Sequence, residues 1–244
     1  MPNFGYHLAR AQGAAMRRVY SVLLSTIARR RLRPERMLPF EVFSYSGENA
    51  LPEQVASIRS LLRFGGRPKA FTVVSDGTYS PRSQKLLEQL DPCVHVASAT
   101  EYLPPDAPPE AATYLANHPT GRQLALIMSL PNTEPAFYID SDVLFFPGAR
   151  ALSSLSTAAP ALFLADCRLS ADERLYRDDS EKIDPVNTGV LFLAQKIDWS
   201  IAFERFLALD GPPNFFTNQT LTHLAMARAG AAPFDPAKFV LQLD

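Results

Sequence analysis

From residue 41 onward the sequence alternates short apolar runs with longer stretches of helical periodicity, and that alternation restricts the fold more than any single motif. Glu41 to Tyr45 reads as a strand, and Glu53 to Phe64, after Pro52, as a helix. Ala70 to Val74 is a second strand closed by the turn signal Ser75-Asp76-Gly77, and Ser80 to Leu90 a helix. Val94 to Ala97 is a third short strand, Leu103 to Pro109 a proline-rich loop, and Arg122 to Leu130 a helix. Ala136 to Ile139 is a buried strand, followed by strands at Ala161 to Leu164 and Thr188 to Leu193. Ile201 to Leu209 and Gln219 to Ala229 are helices. Strands and helices in this order imply an α/β chain with a mostly parallel sheet covered by helices on both faces. Ligands of such sheets sit beyond the carboxyl ends of the strands.

The chemistry is concentrated in Phe137-Tyr138-Ile139-Asp140-Ser141-Asp142-Val143-Leu144-Phe145-Phe146. An apolar run that breaks into two carboxylates and then resumes places both acids at a strand end. With one residue between them, Asp140 and Asp142 are close enough to share one cation. Oxygen ligands suit Mg²⁺ or Mn²⁺, which complete their shells with substrate phosphates and water. A departing diphosphate builds negative charge that a fixed divalent cation stabilises. An acid-x-acid triplet also occurs as a solvated turn, so the triplet by itself leaves both readings open.

The order and spacing of several segments resemble the retaining glycosyltransferases of GT-A (Rossmann-like) fold related to glycogenin and to the bacterial lipopolysaccharide galactosyltransferases. The resemblance spans roughly residues 41 to 240. It implies that Asp140 and Asp142 hold Mn²⁺ or Mg²⁺ and that Ser141, between them, lies against the donor. Arg122 matches the basic donor contact on the preceding helix. Asp166, in Leu164-Ala165-Asp166, matches an acid that binds sugar hydroxyls. Asn187, Thr188 and Gly189 match a small Asn-x-Gly segment beside the donor sugar. Asn218 and Gln219 match the acid–glutamine pair that opens a helix below the sugar. The donor base is expected over the end of the first strand, near Ser44, Tyr45, Ser46 and Asn49. The implied partners are a nucleotide-diphosphate sugar, most simply a UDP-sugar, and a saccharide or glycolipid acceptor. Transfer to the acceptor hydroxyl would retain anomeric configuration.

The sequence departs from that pattern twice. Asn218 stands where the family has an acid. The family's third metal ligand is a histidine from a Gly- and Lys-containing segment after the last strand, and this chain reads Leu241-Gln242-Leu243-Asp244 there. Neither His7, in the arm, nor His223, inside a helical pattern, is a natural substitute, and His95 and His118 come too early. A fragmentary carboxyl end is the expected explanation. These departures keep a catalytically silent nucleotide-sugar binder in view. A haloacid-dehalogenase-type phosphatase also uses hydrophobic-Asp-x-Asp, with the first Asp as nucleophile.

Residues 1 to 40 form a separate basic arm ahead of the domain at 41 to 244, with Pro34 and Pro39 punctuating the join. Leu8, Met16, Val19, Tyr20, Leu23, Leu24 and Ile27 give residues 6 to 33 a helical pattern. The arm holds eight arginines, no lysine and one acid, Glu35, so the body is acidic although the whole chain carries a formal charge of −1. A basic arm on an acidic body suggests an anionic partner. Peripheral contact with an inner membrane surface is expected, and nucleic acid is not. Val19 to Ala28 is shorter than the roughly 20 residues a membrane span needs. Arg29-Arg30-Arg31 after it argues against a secretory signal. Cys93 and Cys167, the only two cysteines, suit a reducing compartment, so a cytoplasmic location is expected.

Overall fold

The computed structural model describes residues 4–131, 133–155 and 158–241. A seven-stranded sheet in the order β3-β2-β1-β4-β6-β5-β7 forms its centre. The strands are β1 (Glu41–Ser46), β2 (Phe71–Ser75), β3 (Val94–Ser98), β4 (Ala136–Ile139), β5 (Ala161–Ala165), β6 (Val186–Leu193) and β7 (Ala232–Pro233). β1 pairs in parallel with β2 and β4, and β2 with β3. β6 alone is reversed, running antiparallel to both β4 and β5.

The helices are α1 (Phe4–Arg29), α2 (Leu51–Ser60), α3 (Pro81–Glu88), α4 (Pro109–Asn117), α5 (Pro119–Ser129), α6 (Ser200–Leu207) and α7 (Thr217–Arg228). Their starts follow local chemistry. Ser80 caps α3 by accepting from the Ser83 amide at 3.2 Å, with Pro81 at the first helical position. Two core clusters lie on opposite sheet faces. Phe40, Val42, Val55, Ile58, Phe71, Phe137 and Phe192 belong to one, and Val74, Leu124, Tyr138, Leu191 and Leu224 to the other. That division is the period-two alternation of β4, where Phe137 and Tyr138 point to opposite sides.

The α/β class and the mostly parallel sheet are as expected, and the differences are local. α4 went unrecognised because His118-Pro119 breaks the helical pattern just before α5. Both helices open on proline, and they pack so closely that a Cβ on Gly121 would lie 2.1 Å from the Tyr114 carbonyl oxygen. The expected helix at 53–64 ends instead in a π-turn, Leu61–Gly65, and Gly66 leaves it at φ 130°. α1 stops at Arg29, short of residue 33. Its last turns are part of the domain, since Leu24 and Ala28 are buried in the same cluster as β1 and α2. Arg17 reaches across to the Asn49 carbonyl at 2.5 Å and to Glu53 at 3.1 Å.

Candidate active site

The carboxyl ends of the parallel strands and the reversed start of β6 meet along one edge of the sheet. β4 delivers Asp140 there, and the Asp140 amide donates to the Gly189 carbonyl at 2.8 Å. Asp140 Oδ1 accepts from the Tyr138 hydroxyl at 2.9 Å and from Gln123 Nε2 at 3.0 Å. Gln123 Oε1 in turn accepts from Asn218 Nδ2 at 3.0 Å. One amide side chain therefore couples the acidic triplet to the first turn of α7. A Cβ on Gly189 would lie 3.0 Å from Asp140 Oδ2, so the backbone of β6 is pressed against the carboxylate.

Burial pushes the Asp140 carboxyl up to about 6; the Tyr138 hydrogen bond works against that shift, and the Asp142 charge adds to it. Asp142 itself is exposed. Next to Asn218 in α7, Gln219 Nε2 donates to Asp166 Oδ2 at 3.0 Å and to the Ser170 carbonyl at 2.9 Å. The Asn187 side chain accepts from the Gly189 amide at 2.9 Å. Beyond β1 and β2, Arg122 donates to the backbone carbonyls of Ala116 (2.8 Å) and Asp76 (2.9 Å). The hydroxyl of Tyr45, buried without a partner, has its pKa raised by burial and by Asp76, with Arg122 opposing.

No family model and no curated protein matches the sequence. Solved structures do match the fold. The galactosyltransferase LgtC, determined with donor and acceptor sugar analogues, superposes with a TM-score of 0.56 at 14% identity, covering 81% of this chain and 74% of LgtC. The bifunctional glycosyltransferase WbbM gives 0.55 at 13%, covering 85% of this chain and 40% of WbbM. Mouse xyloside xylosyltransferase 1 gives 0.50 at 13%, covering 82% of this chain and 86% of that enzyme.

The fold is GT-A.

Within that GT-A frame, hydrogen bonds link Asp140 to Gly189 and, through Gln123, to Asn218, Gly189 to Asn187, and Gln219 to Asp166, while Asp142 lines a hollow between α1 and α2. Arg122 and Tyr45 lie at the β1–β2 end of the cleft. Thr188 is buried between Asn187 and Gly189 in β6. Ser141 is half-buried in the turn between the two acids, and Asn49 is exposed beside the arm. Ser44 and Ser46 are not brought to the cleft. Both hydroxyls donate to Gln54 Oε1 at 2.7 Å, and Ser46 also meets the Tyr79 hydroxyl at 2.8 Å. Strand alternation turns both serines towards α2 and leaves Tyr45 on the other face.

Three cleft groups escaped the sequence. Gln123 follows Arg122 on a helix whose outward residues carry no motif. Tyr138 reads as an ordinary core aromatic. Asp76 reads as part of a turn signal, yet it lies beside Tyr45 and Arg122 at the end of β2. The spacing of Arg122-Gln123 ahead of Asp140 offered no signal, because the pairing depends on how α5 is rotated.

The donor set tolerates a divalent cation. Beside burial, the Asp142 charge raises the Asp140 pKa, a repulsion that a cation between them would relieve, and Asp140 Oδ2 carries no hydrogen bond among the described residues. Among the described residues no three His, Cys, Asp or Glu side chains cluster to form a full protein cage. Two carboxylates with diphosphate and water is a usual set for Mg²⁺ or Mn²⁺. The histidines add nothing to it: His223 is buried against the Glu181 carbonyl at 2.6 Å, and His118 meets the Thr120 hydroxyl at 2.9 Å. Residues 242–244, where the sequence reading looked for a third ligand, lie outside the described residues.

Proposed function

We propose that this chain transfers a sugar from a nucleotide-diphosphate sugar, a UDP-sugar in the simplest case, to an acceptor hydroxyl with retention of configuration. The Asp140–Gln123–Asn218 bridge carries the reading. It ties the acidic triplet to the first turn of α7, and Gln219 of the same turn extends the link to Asp166, in a GT-A fold. Asp140 and Asp142 would hold Mn²⁺ or Mg²⁺, which when bound supplies charge to offset that developing on a leaving diphosphate.

The remaining work falls to the chain's own side chains. Tyr138 and Gln123 hold the Asp140 carboxylate through Oδ1, and Oδ2, against Gly189, has no hydrogen bond among the described residues. Asp76, just past the end of β2 beside Tyr45 and Arg122, lies on the side where the base is expected. Arg122, tied to the backbone at both sides, presents a fixed positive charge near the donor end of the cleft. Asp166 has Oδ2 engaged by Gln219 and Oδ1 by the Arg168 amide at 3.3 Å, and a sugar hydroxyl would donate to a remaining lone pair of Oδ1. Gln219 spends its amide nitrogen on Asp166 and Ser170, so its carbonyl oxygen is available to a carbon gaining positive charge. A further LgtC structure carries a glutamine-to-glutamate change described as an active-site mutation, which supports giving Gln219 a role at the centre. The test is a panel of nucleotide sugars assayed for Mn²⁺-dependent binding and hydrolysis by the wild type and by Asp142→Ala. Mn²⁺-dependent turnover that Asp142→Ala abolishes is expected; phosphomonoester hydrolysis in its place would overturn the reading.

A second reading, donor binding without turnover, is favoured by one observation: Asn218, neutral and committed to Gln123, stands where the resemblance expects an acid. Donor binding without transfer to any supplied acceptor would select it. The phosphatase alternative finds no support in the GT-A fold, where Asp140 follows the fourth strand of the chain and not the first.

The expected membrane contact is carried by α1. Leu8, Ala15, Val19 and Val22 fall on one helical stripe, opposite the buried Leu24 and Ala28. Val22 is 84% exposed and Leu8 72%. With Arg18 and Arg29 beside it, that stripe suits an anionic lipid surface. No described helix is long and apolar enough to cross a membrane. Co-sedimentation with phosphatidylglycerol vesicles should fall when Leu8 and Val22 are replaced by glutamine; undiminished binding would refute the contact.

A further inference from the structure

A trough of about 450 Å³ runs between α1 and α2 and opens at the acidic triplet. Met16, Val19 and Leu23 form one wall, Pro52 and Ala56 the other, and Leu144 closes it beside Asp142. Its charged groups are Asp142 and the mutually paired Arg17 and Glu53. Large apolar side chains line it in the open: Met16 is 63% exposed and Leu144 53%. Leu144 also lines a second apolar hollow of about 380 Å³, with Phe146 and Val240 on its rim. Apolar surface therefore lies on both sides of Leu144, two residues from Asp142.

We propose that this trough holds the hydrocarbon chain of a lipid-linked acceptor whose sugar hydroxyl is presented beside Asp142. The proposal rests on the glycosyl-transfer reading and names the acceptor class for the same site. Three observations favour an acceptor chain over other occupants. The trough is concave and ends at the site, whereas the stripe of Leu8 and Val22 on the far side of α1 is convex. It adjoins that stripe, so a chain leaving a bilayer under α1 has an apolar path towards Asp142. A second copy is disfavoured by charge, because eight arginines against one acid in residues 1 to 40 make arm–arm contact self-repelling. A buried methylene is worth about fourfold in affinity, so a partly buried eight-carbon chain should shift binding by at least about tenfold.

The probes are n-octyl β-D-galactoside, kept below its micelle concentration, and methyl β-D-galactoside, titrated calorimetrically into the full chain with Mn²⁺ and UDP. The octyl compound should bind at least about tenfold more tightly. The double variant Met16→Gln/Leu23→Gln, both positions being solvent-facing, should bring the two within about twofold, with an unchanged melting temperature. Val22→Gln, on the convex stripe, should leave octyl binding at the wild-type level. Equal affinity for the two glycosides, or octyl binding untouched by the double variant, would overturn the proposal. So would a dimer by sedimentation that the double variant dissociates. Donor hydrolysis in water is measured alongside: its absence from the wild type would count against the transfer reading alone, and all three proteins should share one rate.

Discussion

Gln123 stands between Asp140 and Asn218, donating to the first at 3.0 Å and accepting from the second at 3.0 Å. Replacing it with leucine removes both bonds while keeping the side-chain volume. Partners that orient metal-binding groups typically contribute 10- to 100-fold to activity or metal affinity. Gln123→Leu should therefore lower turnover and raise the Mn²⁺ concentration needed for half-activation, each by about one to two orders of magnitude. Steady-state assays across a Mn²⁺ series would show it, and an unchanged activation curve would mean that the bridge does not position Asp140.

The two aspartates of the triplet should separate in stability although both affect donor binding. Asp140→Ala leaves the buried Tyr138 hydroxyl and one Gln123 donor without their acceptor, at a cost of about 1–3 kcal/mol. Asp142 is exposed and has no hydrogen-bond partner among the described residues, so Asp142→Ala should change stability by no more than about 0.5 kcal/mol. Urea denaturation of both variants at neutral pH would reveal the difference; equal midpoints would contradict the hydrogen-bonding described.

At Gly189 an added methyl would lie 2.9 Å from Asn187 Oδ1 and 3.0 Å from Asp140 Oδ2. Gly189→Ala must displace one or both side chains, costing about 1–3 kcal/mol. Its signature should be weaker donor affinity together with lowered thermal stability. Measured by calorimetry, wild-type donor affinity in this variant would show that the carboxylate has room to move.

Acid should destabilise the fold through Asp172 and Glu48. Burial acts to raise the Asp172 pKa, but hydrogen bonds from Arg174 and Thr217 outweigh it and hold the carboxyl below its ordinary value. Burial is likewise outweighed at Glu48 by bonds from Ser83 and Ser80. A carboxylate with a depressed folded-state pKa contributes stability that is complete above the ordinary value, about 4. That contribution is lost as pH falls through the lower folded value. Melting temperature should thus drop between pH 5 and about 3, and Asp172→Asn should flatten part of the drop while lowering stability at pH 7.

The sheet was legible because short strands ending in turn residues leave a period that sequence can display. Six of the strands and the acidic triplet at the end of β4 lie where the pattern puts them. What escaped depends on rotation and depth. α4 was hidden because Pro119 both ends one pattern and begins the next. Gln123 and Asp76 carry no motif, and only the packing of α5 against β4 and the turn after β2 brings them to the cleft. Ser44 and Ser46 show the converse: they lie at the end of β1 as expected, but strand alternation turns them towards α2, where Gln54 accepts from both hydroxyls.

The single reversed strand has a structural consequence of its own. Because β6 runs against its neighbours, the polypeptide enters the sheet at the cleft where every adjacent strand leaves it. The stretch from 166 to 185 is thereby clamped at both ends by strand pairing, with Asp166 at its departure and Asn187 just past its return. Asp172 and Leu175, each 2% exposed, pin the middle of that excursion to α7 and the core, so its length and composition are free to vary only in the exposed runs at 167–169 and 177–180.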